Sequence, residues 1–116
     1  MLTGQLPPVS RRSTYIETLE LLDDETGDPI DLSGAAITVS VCRMLAADDY
    51  GAVCAASCAT ATLGAGVTVP EPGIIVWRFE AGALGGIAPG VALLSVLISR
   101  DGDSYEALRA LLPIED

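Results

Sequence analysis

The fold is decided by residues 73–113, which read GIIVWRFEAGALGGIAPGVALLSVLISRDGDSYEALRALLP. Two apolar runs, 91–100 and 104–112, flank the sequence Asp101-Gly102-Asp103. Asp-Gly between apolar runs is among the strongest short signals for a β-hairpin, because the tight turn needs positive φ angles. A strand at 74–79 precedes the hairpin, and a link of small residues ending in Pro89-Gly90 would cross the end of the domain. The chain therefore ends in a hairpin whose partner strands must come from residues before it.

Strands of the same kind are predicted along most of the chain. Alternation places Ile37, Val39 and Val41 on one face of a strand, and the same spacing recurs in the strand at 74–79. The run 91–99 is apolar on both faces, which favours a central strand covered on both sides. The seven predicted strands span residues 14–22, 36–43, 52–63, 67–69, 74–79, 91–99 and 104–112.

Short strands separated by turn signals every eight to twelve residues are typical of an immunoglobulin-like β-sandwich. The fold class is therefore predicted to be all-β, with about seven strands in two sheets. The alanine content of residues 52–63 also allows a helix there in place of the predicted strand. A single helical turn is also possible at 44–50 and at 80–86.

The first 13 residues differ from the rest, since they lack an apolar period and contain Pro7, Pro8, Arg11 and Arg12. This composition predicts an extended arm, residues 1–13, in front of a sandwich domain at 14–116. Such an arm has little apolar surface of its own, so we expect it to be ordered by a neighbouring chain. Pro7, Pro8, Arg11 and Arg12 are the predicted partner-binding residues, the arginines pairing with carboxylates.

Composition excludes several classes of function. The net charge of −10 argues against nucleic acid as a partner, because phosphate binding needs clustered basic residues. The chain has no His, and all six basic residues are Arg, so the usual catalytic triads and lysine chemistry are absent. Residues 51–70 carry no charge, but their Thr and Ala content favours a strand over a membrane span. We expect no enzyme activity and no membrane partner.

Metal and cofactor sites are not expected either. Cys42, Cys54 and Cys58 form no CxxC pair, and we expect three free thiols in a reducing cytosol, with one disulfide as the alternative. The acidic stretch 23–31 lacks the terminal bidentate Glu of a calcium loop and is interpreted as a solvated turn. Asp101 and Asp103 are explained by their turn.

Several of these motifs together resemble a known group of proteins. The motifs are DLSGA at 31–35, GIIVW at 73–77, the segment 81–84, Pro89-Gly90 and Asp101-Gly102. They resemble small β-sandwich proteins of tailed phages, such as the N-terminal module of baseplate upper proteins and related head- or neck-associated proteins. The resemblance spans about residues 14–113. It departs from the usual pattern after Pro-Gly, where Val91 and Ala92 stand in place of a Tyr.

The resemblance implies a structural protein of a virion, made in the bacterial host cytoplasm, that docks on other virion proteins as a homo-oligomer within the assembly. It implies no catalytic residues. A free-standing module that binds a carbohydrate or surface ligand is the alternative, for which Trp77 and Tyr105 could stack on the ligand. Single aromatics on strands are more often part of the core, and we expect Trp77 to pack between the two sheets.

Overall fold

A computed structural model describes the backbone of residues 2–44 and 53–116, and the side chains of both ranges except 53–57. The described residues form nine β-strands and no helix, which confirms the all-β class. The strands are β1 (Leu2–Gln5), β2 (Val9–Ser10), β3 (Tyr15–Glu20), β4 (Ala36–Met44), β5 (Val53–Leu63), β6 (Gly66–Glu71), β7 (Ile74–Phe79), β8 (Gly90–Arg100) and β9 (Asp103–Glu115).

The strands belong to one open sheet, which curls around a single core. Their order is β1-β9-β8-β4-β5-β6-β7-β3, and β2 also pairs with β9. The immunoglobulin-like sandwich is not confirmed, because the described strands are joined by hydrogen bonds into one sheet. The link between the two halves is short: β5 and β6 run parallel and pair at Thr62↔Gly66 and Leu63↔Val67. One cluster of buried side chains contains residues from both halves of the sheet.

The predicted C-terminal hairpin is confirmed in detail. Asp101 and Gly102 have φ angles of 52° and 86°, as a two-residue hairpin turn with positive φ at both positions requires. The hairpin pairs Arg100 with Asp103. Further along, Val96 pairs with Leu108 and Leu97 with Glu106, so that the intervening residue of β9 forms a bulge.

The core is built from the alternating positions that the sequence predicted. Ile37, Val39 and Val41 of β4 are buried, as are Ile75, Trp77 and Phe79 of β7. The prediction for β8 is confirmed only in part. It is central, between β4 and β9, but its outer face is open at Leu97, which is 44% exposed. Serines alternate with leucines on that face, so the apolar run does not imply cover on both sides.

The structure decides between helix and other conformations in two segments for which the sequence allowed both. Residues 53–63 form a strand and not a helix. The link at 80–87 is a series of turns, in which the N–H groups of Ala83, Gly85 and Ile87 donate to the carbonyls three residues earlier. Leu84 and Ile87 in this link are buried and anchor it to the core. The helical turn considered for 44–50 falls on residues outside the described ranges, apart from Met44. No helix within the described ranges is long and apolar enough to cross a membrane.

The expectation of three free thiols is wrong for two of the cysteines. Cys42 and Cys58 lie directly opposite each other in the antiparallel β4–β5 pair, with their Cα atoms 4.1 Å apart, and form a disulfide. Sequence spacing alone does not show this pairing, because it depends on the register of two strands. The Cys54 side chain lies outside the described part of the chain.

Candidate functional site

The N-terminal segment, residues 2–12, lies along the outer edge of β9 in its own chain. β1 runs parallel to β9, from Leu2 opposite Leu108 to Gln5 opposite Leu111, and β2 continues with Val9 opposite Ile114. The Leu6 N–H donates to the Leu111 carbonyl at 2.8 Å. The segment is extended, as predicted for an arm, but its order does not require a neighbouring chain. The carbonyl and N–H groups on the edge of β9 supply the partner.

Few side chains of this segment contribute to the core. All four residues of β1 are exposed. Val9 is only 9% exposed and belongs to the core cluster, and Leu6 packs against it. The segment is therefore held largely by backbone hydrogen bonds, with one buried valine as its main apolar anchor.

Pro7 and Pro8 lie between β1 and β2 and are exposed. Proline has no N–H to donate, so the pairing with β9 is interrupted here and resumes at Val9. Proline on an edge strand also discourages further strands from adding to the sheet. The two prolines thus divide the segment into two short strands.

The two arginines, adjacent in sequence, are held differently. Arg11 is half-buried, and its Nη2 donates to the Gly85 carbonyl in the link after β7. This hydrogen bond ties the N-terminal edge to the other half of the sheet. Arg12 forms an ion pair with Asp116 at 3.1 Å, between side chains that are 77% and 62% exposed. An exposed pair of this kind contributes little to stability.

Arg11 and Arg12 together line a shallow cleft of about 520 Å³, with Ala81, Gly82, Gly85 and Asp116. The structure thus brings two of the four predicted partner-binding residues to one site, while Pro7 and Pro8 are not among its lining residues. Two guanidinium groups suit a carboxylate ligand. An incoming carboxylate would compete with Asp116 for Arg12. Partner binding by Pro7, Pro8, Arg11 and Arg12 stays a prediction.

A second groove was not predicted from the sequence. It lies between the two edges of the sheet and measures about 360 Å³; its lining residues are Leu2, Glu20, Leu21, Leu22, Asp24, Ile30, Tyr105, Glu106 and Ala107. Leu2, Leu22 and Tyr105 are each about half exposed there. No sequence signal could have located the groove, because it exists only where the curl of the sheet brings β3 near β1 and β9.

The remaining polar clusters have structural explanations. The Asp23 carboxylate accepts hydrogen bonds from the N–H groups of Glu25 and Thr26, at 2.8 and 3.1 Å, which stabilise the turn after β3. The Ser33 N–H lowers the pKa of Asp31, and the nearby Arg100 contributes in the same direction. Within the described ranges, no three His, Cys, Asp or Glu residues come together in a group that could hold a metal.

The aromatic pair Tyr15 and Trp77 is buried and does not form a ligand site. Trp77 is fully buried, so its ring is not available to stack on a ligand. Burial raises the pKa of Tyr15 to about 12, and the indole N–H of Trp77 opposes this rise. Neither the Tyr15 hydroxyl nor Trp77 Nε1 makes a hydrogen bond of normal geometry with a described residue. Tyr105 remains the one exposed candidate of the two proposed for stacking, at 47% exposure.

No protein-family model matches this chain, and no match was found among curated proteins.

Proposed function

We propose that the protein is a non-enzymatic structural component of a tailed-phage-like virion, which docks on other virion proteins through its N-terminal segment. The observation that carries the proposal is the way in which residues 2–12 are held. β1 contacts β9 through its backbone and leaves its four side chains exposed. A strand attached in this manner can be exchanged for an equivalent strand of another chain, since every residue offers the same backbone groups.

The motifs that resemble phage proteins support the same proposal. DLSGA at 31–35 forms the turn that leads into β4, and Asp101-Gly102 forms the hairpin turn. We further propose that the curled sheet is a variant of the sandwich of that group. The parallel link of two residue pairs between β5 and β6 is the only described junction where two sheets would have to separate.

The disulfide also favours a protein that works outside a reducing cytosol. Disulfides persist in oxidising surroundings, and the surface of a released particle is one such environment. Cys58 is exposed in the isolated chain, so this bond is accessible to reductants. A structural protein made in the host cytoplasm would form the bond after release.

The test is to purify particles from the cells that encode the chain and to identify their proteins by mass spectrometry. We expect the full chain at stoichiometric amounts in the particles, and immunogold labelling at one location. A chain lacking residues 1–13 should accumulate as folded protein but be absent from the particles. The proposal fails if the full chain is absent from the particles, or if the truncated chain is incorporated as well as the full one.

The structure offers few residues that could carry the alternative function, a module that binds carbohydrate. Of its two candidate stacking residues, Trp77 is buried, and Tyr105 lies in the groove beside Glu20 and Glu106. Glycan-array binding that is lost in Tyr105→Ala would favour this alternative over the virion proposal.

A further inference from the structure

We propose that the outer side of strands β5, β4, β8, β9 and β1 is a contact surface for a second copy of this chain. We call it the Ser/Thr face. It is defined by three rows of outward-pointing residues that run across these strands. The proposal concerns the isolated chain in solution, so it does not depend on the virion proposal.

The middle row consists of residues in direct register on five strands. Thr60 pairs with Ser40, Ser40 with Ser95, Ser95 with Arg109, and Arg109 with Thr3. Their neighbours along each strand point to the core, as the buried Val39, Val41, Leu94 and Val96 show for β4 and β8. The middle row therefore points away from the core. Its side chains are short apart from Arg109, so few side chains project from this side of the curled sheet.

The row on one side contains Thr62, Thr38, Leu97 and Glu106. Leu97 is the large apolar side chain of this row and is 44% exposed. Glu106 forms an ion pair with Arg109 of the middle row, with Oε1 and Nε 2.7 Å apart. The two charges thus neutralise each other within the face.

The row on the other side is more apolar. It contains Cys58, Cys42, Leu93, Leu111 and Gln5. The disulfide joins the first two and fixes β5 against β4 at this point. Leu93 is buried and Leu111 is partly exposed. A rigid apolar strip therefore borders the hydroxyl-rich centre.

Charge distribution identifies the occupant. The chain carries −10, so two copies repel each other wherever their acidic residues meet. The three rows contain no charged residue besides the paired Glu106 and Arg109. Nine of the acidic residues lie in the turn at 23–31, at the hairpin turn and at the C-terminus, and Glu17, Glu20, Glu71 and Glu80 lie in or next to β3, β6 and β7. Asp48 and Asp49 lie outside the described residues. The Ser/Thr face is thus a surface at which like-charged copies can touch, and depletion of charge is the compositional mark of an interface core.

The size of the face suits a weak, reversible dimer. Five strands spaced about 4.8 Å apart are about 24 Å wide, and three rows two residues apart extend about 20 Å along each strand, which gives up to about 480 Å² for each copy. Two such faces would bury up to about 1,000 Å² in total, the size of a transient interface. Association of the same face from two copies has twofold symmetry, the commonest arrangement for homodimers.

The test is sedimentation equilibrium of the full chain at concentrations up to about 1 mM, in low salt and in about 0.5 M NaCl. We expect a dimer whose dissociation constant is lower at high salt than at low salt. Salt screens the repulsion between the two acidic copies and so favours the dimer. Ser40→Glu should weaken dimerisation at least tenfold, because it places a like charge on the middle row of both copies, and its cross-strand neighbours Thr60 and Ser95 carry no charge to offset it. Thr60→Glu should have the same direction of effect, and its side chain is exposed, so folding is not disturbed.

Thr18→Glu is the matched control, since Thr18 is an exposed outward residue of β3, away from the Ser/Thr face. We expect it to dimerise as the wild type does. Trp77 fluorescence reports folding of every variant. The proposal is overturned if the wild type is monomeric at about 1 mM in high salt, which would leave the face to a different protein. It is also overturned if folded Thr60→Glu dimerises as tightly as the Thr18→Glu control.

Discussion

Strand β9 has a different kind of neighbour on each side. On one side it forms an antiparallel hairpin with β8, with eleven residue pairs, and β8 buries Leu94, Val96 and Ile98 against the core. On the other side it pairs in parallel with β1 and β2 through six residue pairs, and the side chains of β1 are exposed. The backbone of β9 forms hydrogen bonds on both sides. The two sides differ in the burial of the neighbouring strand's side chains.

The comparison separates two ways of ordering a strand. The β8 side is fixed by a turn with the required φ angles and by apolar side chains, so its register is strongly specified. The β1 side is fixed by hydrogen bonds that any extended segment can make, with Val9 and Arg11 as its specific contacts. A hydrogen bond exchanged with water contributes only about 0.5–1.5 kcal/mol, so the second kind of order is easily released.

The largest difference in the free energy of unfolding should appear between a leucine of β8 and a leucine of β1, each replaced by alanine. Leu94→Ala removes a fully buried side chain of β8 and should lower the free energy of unfolding by about 2–5 kcal/mol. Leu2→Ala affects a side chain that is 50% exposed and should change it by less than about 0.5 kcal/mol. Guanidinium unfolding followed by Trp77 fluorescence measures both. Equal losses would show that β1 is as much a part of the core as the hairpin is.

The disulfide should strengthen the central strands alone. Closing the loop between Cys42 and Cys58 should contribute about 3 kcal/mol, and reduction should lower the unfolding midpoint accordingly. In denaturant without reductant, titration should find at most one thiol, and three after reduction. Three thiols before reduction would restore the expectation drawn from the sequence. Hydrogen exchange of β1 amides should not change on reduction, since β1 pairs with β9, and β8 and β9 lie between β1 and β4 in the sheet.

Removal of residues 1–13 should have a smaller effect than loss of a core leucine. A separable arm, as predicted from the sequence for residues 1–13, would leave the melting temperature almost unchanged when it is removed. Burial of Val9 and the Arg11 hydrogen bond raise the expected loss to about 2–3 kcal/mol. Circular dichroism should still show a folded β-protein. A synthetic peptide of residues 1–13 should restore part of the lost stability when added in trans. Complete unfolding of the truncated chain would show that the N-terminal segment is not separable.

The smallest effects should distinguish the two adjacent arginines. Arg11→Ala should cost about 1–2 kcal/mol, because it leaves the Gly85 carbonyl without its donor and loosens the contact with the other half of the sheet. Arg12→Ala should cost less than about 0.5 kcal/mol, since its ion pair is exposed. Thermal unfolding of the two variants under the same conditions measures this difference in stability. A larger loss of stability in Arg12→Ala than in Arg11→Ala would show that Arg12 makes the contact that stabilises the fold.

Local features of this fold could be predicted from the sequence, whereas pairings between distant strands could not. Asp101-Gly102 predicted its turn because few residues adopt positive φ, and alternation predicted the buried faces of β4 and β7. The parallel pairing of β1 with β9 left no pattern, because Thr3, Gly4 and Gln5 contribute backbone groups and not buried side chains. The Cys42–Cys58 bond and the groove beside Tyr105 depend on register and curvature, which are properties of the assembled sheet.

The position of β1 beside β9 has a consequence for synthesis on the ribosome. β1 emerges from the ribosome before β9, with about a hundred residues of chain between them, so its partner edge does not exist until those residues have been translated. Until then the N-terminal segment is exposed in the nascent chain, and neighbouring ribosomes on the same message carry identical segments. The order of synthesis thus creates an interval in which the segment can pair with the finished β9 of another copy, and chain exchange becomes a matter of timing as well as of affinity.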